Sequence, residues 1–276
     1  MSQRVKHLML TRFNVASPGR EQAIRLKPGW LDDRFELFRK LCLPGVASQT
    51  RQDFEWFIFF DEQTPDRYRD EIARLQTIYP FRAKFTPMFE MDKIVPELVQ
   101  RGGDAEWLLT TRLDSDDVLA VDHVSRLREL FDTPRRQVVN FRRGAILSIK
   151  GEKPQLYRVA DDSNPFASLM EPMTADAGTI WAVKHVEIDR IAPVLQVEGA
   201  PAWLQVVHGG NVSNRVKGVR VPVVSLAAVF PYLSTVQGLD EKPHDIVLSN
   251  SVMGPLRQGR EVARAMLKGA YHLVRR

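Results

Sequence analysis

The sequence predicts an α/β layered domain, and three features carry that prediction. Apolar runs of strand length alternate with segments of helical spacing along most of the chain. Phe54 to Phe60 (FEWFIFF) is apolar almost throughout, as expected of a strand covered on both faces. Glu106 to Leu113 (EWLLTTRL) is a second such strand, and it runs straight into Asp114-Ser115-Asp116-Asp117.

In chain order, His7 to Val15 reads as the first strand. Leu31 to Leu43 places apolar residues at 31, 35, 37, 38, 41 and 42, a helical spacing, with Pro44-Gly45 as its stop. After FEWFIFF, Thr64-Pro65 opens a helix to about Ile78, with Thr64 as cap. Phe81 to Phe85 is a short strand. Asp92 to Gln100 is a helix that stops at Gly102-Gly103. Beyond the aspartates, Val121 to Phe131 reads as a helix, and Gln137 to Phe141 and Ala145 to Ile149 as strands. Asn164 to Pro172 reads as loop, Thr179 to Val183 as strand, Val186 to Ala192 as a short helix. Trp203 to Val207 is a last strand, ending in His208-Gly209-Gly210-Asn211.

With 276 residues, 44% hydrophobic and 26% charged, the chain can bury a sizeable core. Residues 1–245 read as one body and 246–276 as a basic helical tail. Cys42 is the single cysteine, so no internal disulfide forms; a reducing, cytoplasmic setting is expected. Beside Leu41, Leu43 and Phe38 it reads as a small buried apolar residue. The N-terminal apolar stretch is broken by Thr11 and Arg12 and reads as a strand, not a secretory signal. Val219 to Leu233 is interrupted by Arg220, Pro222 and Pro231, and is shorter than the ~20 apolar residues a span needs. The net charge is +5, and residues 257–276 alone hold six basic side chains against one acidic. The body is therefore neutral and offers no footprint for nucleic acid.

Three carboxylates within four residues repel one another unless a cation sits among them. Mg²⁺ and Mn²⁺ prefer oxygen ligands and share them with substrate phosphates. Ligands of open α/β sheets bind outside the carboxyl ends of strands, where these aspartates fall. A D-x-D spacing can put one carboxylate on the metal and another on a sugar hydroxyl. The plainer reading is a solvated acidic turn in which Asp117 or Ser115 caps the next helix.

TRLDSDD, with Arg112 before the aspartates, resembles the metal motif of GT-A glycosyltransferases of the family-2 type. TRFNV, Arg34 with RKLCLPGVASQT, FEWFIFFDE, SNPFASLME and WLQVVHGGNVSN resemble the rhamnosyltransferase family in the same order, over most of residues 7 to 215. The resemblance implies a Rossmann-type layered domain with a mixed central sheet. It implies Mn²⁺ or Mg²⁺ held by Asp116 with Asp117, Asp114 on the ribose or donor sugar, and Arg12, Asn14, Asp61 and Arg112 around the nucleotide. It implies transfer of a sugar, rhamnose by the family's name, from a nucleotide-sugar donor to a glycan or lipid-linked acceptor. The Glu-Asp pair that marks the base of inverting family-2 enzymes is absent.

His208, followed by two glycines, is a candidate to complete the metal site, against the reading of a loop histidine beside a turn. Glu171 and Asp176 are equal candidates for the base, against a surface glutamate before proline. Trp181 and Trp203 are sugar platforms or core. The tail has an apolar face (Val262, Met266, Leu267, Ala270) and basic residues elsewhere, so residues 257–276 are a candidate for peripheral contact with the inner membrane face, against a packed terminal helix. Two rival functions stand beside glycosyl transfer. A nucleotidyltransferase would show a glycine-rich basic loop where this chain has TRFNVASPGR. An inactive glycan- or nucleotide-binding protein of the same fold is the other.

Overall fold

The computed structural model describes residues 4–17, 21–100, 103–131, 134–211, 215–239, 242–257 and 259. Its strands are β1 (Val5–Arg12), β2 (Glu55–Asp61), β3 (Arg82–Thr86), β4 (Trp107–Asp114), β5 (Val118–Leu119), β6 (Gln137–Phe141), β7 (Arg143–Ser148), β8 (Gln155–Ala160), β9 (Ser168–Pro172), β10 (Val194–Val197), β11 (Trp203–Val207) and β12 (Val219–Arg220).

A seven-stranded sheet runs β10-β6-β9-β4-β1-β2-β3. β3, β2, β1 and β4 are parallel, and β9 is antiparallel to both β4 and β6. The sheet is mixed, as expected. Helices at Trp30–Leu37, Asp66–Ile78 and Met91–Gln100 carry the chain between the parallel strands. From β1 the chain steps outward to β2 and β3, then returns to the other side of β1 as β4. The order therefore reverses between β1 and β4, where Arg12 pairs in register with Asp114. Such a reversal opens a crevice at the carboxyl ends of the strands.

Both faces of this sheet are buried. Met9, Trp56, Ile58 and Phe60 enter one apolar cluster, while Leu8, Leu10, Phe57 and Phe59 enter another. That two-sided burial is why FEWFIFF shows no polar alternation. Each buried ring contributes about 1.5–3 kcal/mol, and β2 buries four of them.

A second sheet runs β12-β8-β7-β11-β5. Its decisive pairing is β5 with β11, antiparallel, with Val118 opposite Leu204. The chain leaving the aspartates is thereby zipped to the strand that leads into His208.

Several predicted elements differ. The first helix does not stop at Pro44-Gly45: a wide π turn at Phe38–Cys42 leads into a further helical segment, Leu43–Ala47. The wide turn accommodates a proline that has no N–H for the preceding turn. Thr64 does not cap its helix; its hydroxyl donates to the Asp61 carbonyl at 2.6 Å. The predicted loop at Asn164 to Pro172 contains β9, buried on both faces between β4 and β6. Thr179 to Val183 is a 3-10 turn, Ile180–Ala182, because the Ile180 N–H bonds the Thr110 hydroxyl instead of a strand backbone. Val186 to Ala192 is likewise 3-10, at His185–Arg190. β5, β8, β10 and β12 went unpredicted.

Among the described residues no helix is long and apolar enough to cross a membrane. Asn250 pairs with both backbone groups of Arg220, at 2.8 and 2.9 Å, and so ties the Ser249–Met253 turn to β12. Residues 260–276, which hold most of the proposed membrane face, lie outside the described residues.

Candidate active site

β4 delivers the aspartates to the rim of the β1/β4 crevice, and a tight turn separates their fates. The Asp117 N–H donates to the Asp114 carbonyl at 3.1 Å. Asp114 and Asp116 line the crevice together with Arg12, Asn14, Arg34 and Asn211. Asp117 points elsewhere: it is buried, and its Oδ1 accepts the Val206 N–H of β11 at 2.8 Å. Burial, then the neighbouring Asp116 and Asp114 carboxylates, push the Asp117 carboxyl well above its ordinary range.

Asp116 is saturated by donors. Its Oδ1 faces Arg34 Nη1 at 2.5 Å, and its Oδ2 faces His208 Nε2 at 2.8 Å and Asn211 Nδ2 at 3.2 Å. Burial works to raise its carboxyl, but Arg34 and His208 outweigh that and hold it at about 2. His208 Nδ1 accepts the Gly210 N–H at 3.1 Å, so the ring proton sits on Nε2 and is donated to Asp116. The Asn211 carboxamide also accepts the His208 N–H, closing the His-Gly-Gly-Asn loop on the aspartate. Gly210 packs closely there: a Cβ would lie 3.1 Å from His208 Cε1, which the ring would meet by giving a few tenths of an ångström, and in ordinary contact 3.8 Å from Trp30 Cδ1.

The residues expected around the nucleotide divide into lining and bracing groups. Arg12 and Asn14 line the crevice. Asn14 also ties the ends of β1 and β2 together: it donates to Thr64 Oγ1 at 3.0 Å and accepts the Asp61 N–H at 3.2 Å. Asp61 is buried and takes Arg25 Nη1 at 2.5 Å and the Gln63 N–H at 2.8 Å, so its acceptor capacity goes to the protein itself. Arg112 lies over the Trp181 ring at 3.7 Å and reaches Asp114 at 3.5 Å, while Arg12 approaches the same ring at 5.3 Å. Trp181 is thus a platform for arginines. Trp203 is core, stacked on Phe166 at 5.0 Å.

The two candidates for the base lie away from the aspartates. Glu171 registers against Leu108, six residues before Asp114, which at ~3.3 Å per residue is about 20 Å down the sheet. It accepts both Arg136 contacts, at 2.7 and 3.2 Å. Asp176 is exposed, two residues before Gly178, whose backbone adjoins the Glu171 carboxylate. Neither belongs to the crevice, because β9 runs antiparallel and carries Glu171 to the opposite end of β4.

Sequence reasoning gave no role to Arg34 and Trp30. They stand four residues apart on the Trp30–Leu37 helix, and the Arg34 guanidinium lies 4.7 Å over the Trp30 ring. A Trp and an Arg at that spacing share one helix face, which was the available signal.

Among the described residues, no group of three or more His, Cys, Asp or Glu side chains is arranged to hold a metal ion. Asp116 and His208 supply an oxygen and an imidazole nitrogen, ligand types that Mn²⁺ takes, but the 2.8 Å contact between them is a hydrogen bond, so a cation would have to displace the Nε2 proton. A cation held by one or two protein ligands is completed by substrate phosphates.

A family model described as "Putative rhamnosyl transferase" matches residues 6–220. The chain belongs to that family. The match runs from β1 to β12 and includes every crevice residue named above. No curated protein matches the chain. Among solved structures, S. aureus TarS 1-349 in complex with UDP-GlcNAc has 11% identity and a TM-score of 0.47, over 77% of this chain and 62% of that one. A longer S. aureus TarS structure gives 10%, 0.44, 73% and 37%. The inositol-1-phosphate CTP transferase from T. maritima gives 11%, 0.35, 87% and 99%. This rhamnosyl transferase family member thus spans about three fifths or less of the TarS chains it matches, and its fold rests on its own strand order.

Proposed function

We propose that this protein is a glycosyltransferase that moves a sugar from a nucleotide-diphosphate donor to a hydroxyl of a glycan or lipid-linked acceptor, with rhamnose the sugar suggested by the family. The convergence of Asp114, Asp116, Arg34, His208 and Asn211 at the β1/β4 reversal supports this reading most. A crevice at strand carboxyl ends, lined by both carboxylates and guanidinium groups, suits a ligand that is part polyanion and part polyol.

In this reading the acceptor hydroxyl attacks the donor's anomeric carbon, the carbon–oxygen bond to the diphosphate breaks, the diphosphate departs with the electron pair, and the hydroxyl's proton is lost to solvent water. Asp114, the aspartate with its side chain part-exposed to the crevice, holds a sugar or ribose hydroxyl. Asp116, with His208 once its Nε2 has given up its proton, would hold Mn²⁺ or Mg²⁺, which would supply Lewis-acid chemistry at the diphosphate. Arg12 and Asn14 flank the nucleotide, while Asp61 and Arg112 act behind them by fixing Arg25 and Asp114.

The test is a panel of UDP-, GDP- and dTDP-sugars, scored by thermal shift with and without Mn²⁺, followed by product analysis. Stabilisation by one donor and release of a nucleoside diphosphate are expected. Absence of stabilisation by every donor would sink the reading. Release of pyrophosphate instead would favour nucleotidyl transfer, and donor binding without turnover would favour a binding protein.

A further inference from the structure

Resting on that donor reading, we infer that Arg34 binds the donor's diphosphate and sets a preference for a nucleoside diphosphate over the corresponding monophosphate. Arg12, Arg25 and Arg34 line the crevice and Arg112 stands beside Asp114; of the four, Arg12, Arg25 and Arg112 are committed within the protein. Arg25 is held by Asp61 at 2.5 Å and by the Asn14 carbonyl at 3.3 Å. Arg112 lies on Trp181 and reaches Asp114. Arg12 donates to Ser17 Oγ at 3.1 Å and shares the Trp181 ring.

Arg34 is placed differently. Its Nη1 meets Asp116 Oδ1, its guanidinium carbon lies 4.7 Å from the centre of the Trp30 ring, and it has no other hydrogen-bond partner among the described residues. A guanidinium carries five N–H donors in a rigid fork that matches phosphate oxygens two at a time. The side chain is 13% exposed and lines the crevice, so its remaining donors are available there. Asp116 turns its other oxygen to His208. A ligand drawn to Asp116 and His208 therefore arrives beside Arg34. Trp30 limits where the guanidinium can go, which makes it a positioning residue for Arg34. A monophosphate lacks the second phosphate that this fork would grip.

The test is calorimetric titration of wild type, Arg34→Gln and Arg34→Lys with UDP and UMP, GDP and GMP, and dTDP and dTMP, all with Mn²⁺. Wild type is expected to bind one diphosphate at least about tenfold more tightly than its monophosphate, and Arg34→Gln to lower that ratio about tenfold with monophosphate affinity within about twofold. Arg34→Lys keeps the charge and loses the fork, so its ratio should fall in between. If Arg34→Gln does not fold, the lysine variant decides by the same ratio. A wild-type preference that survives both substitutions, or an equal weakening of both ligands, overturns the role of Arg34 and leaves the donor reading standing. Binding of none of the three diphosphates by wild type overturns both.

Discussion

The His208 imidazole donates from Nε2 to Asp116 Oδ2 at 2.8 Å, joining residues 92 positions apart. Neither residue is positioned by its own strand alone. β4 sets the height of Asp116, β11 sets that of His208, and the β5–β11 pairing brings the two strands together.

Asp116→Asn removes the carboxylate from this pair. Mn²⁺-dependent stabilisation by the donor should vanish, with affinity down by roughly 100-fold or more, beyond the usual effect of losing a neighbouring support. Thermal shift with donor, with and without Mn²⁺, checks this. Metal-dependent binding that persists would remove Asp116 as a ligand.

The two glycines after His208 should behave oppositely. Gly210→Ala puts a methyl 3.1 Å from His208 Cε1 and 3.3 Å from its Nδ1, so the ring must move. Gly209→Ala meets nothing within 4 Å. Donor affinity is expected to fall roughly tenfold for Gly210→Ala and to stay within about twofold for Gly209→Ala. Similar affinities for the two variants would show that the ring position does not matter to the donor.

Glu171→Gln and Asp176→Asn test the reassignment of the base candidates. Turnover should stay within about threefold in both, whereas loss of a general base costs 10²–10⁴-fold. Glu171→Gln should also lower stability by about 0.5–1 kcal/mol, a modest figure because Arg136 is half-exposed. A drop in turnover of about 100-fold in either variant would restore it as a catalytic candidate.

Acid should weaken the fold through two core histidines. Burial, then Arg128, lowers His7 to about 3, and burial lowers His123 to about 4. Each has one ring nitrogen bonded, to Thr111 Oγ1 and to the Ala202 carbonyl, and the other without a partner among the described residues. Protonation would therefore leave a buried N–H unsatisfied. Because the folded values lie below the ordinary 6.5, the unfolded chain takes up protons first. The stability is complete above about pH 6.5 and is lost as pH falls from there towards 4 and then 3, at about 1.4 kcal/mol per pH unit for each histidine. Urea unfolding of wild type and His123→Gln at pH 7 and pH 5 compares their slopes, and the variant should lose about 1.4 kcal/mol less per pH unit, whatever opposing slope the raised Asp117 carboxyl adds to both. Equal slopes for the two proteins would contradict the account.

Gly45→Ala tests the contact between the first helix and the aspartate turn. The added methyl would sit 2.2 Å from Val118 Cγ1, directly after Asp117. Overpacking at such a contact costs about 1–3 kcal/mol, and donor affinity should fall with it. Chemical denaturation and donor titration read the two effects. An unchanged midpoint would mean that the helix can shift freely.

Much of the fold was legible in the order of residues because its signals are local. Burial on both faces of β2 is written directly in FEWFIFF, and the strand EWLLTTRL ending in aspartates marks a carboxyl-end site whatever lies around it. β9 and the Thr179 to Val183 turn were misread because their form depends on partners. Ser168–Pro172 becomes a strand by filling the gap between β4 and β6, and Ile180 turns because Thr110 offers its hydroxyl.

The same division runs through the site. The chain alone determined the strand–aspartate succession, the glycines after His208 and the neutral charge of the body, since each is carried by neighbouring residues. Only the tertiary structure decided which aspartate faces the crevice, that Arg34 supplies a cation beside Asp116, and that Glu171 falls at the wrong end of β4. Those outcomes depend on strand direction and register, which pair residues dozens of positions apart through backbone hydrogen bonds.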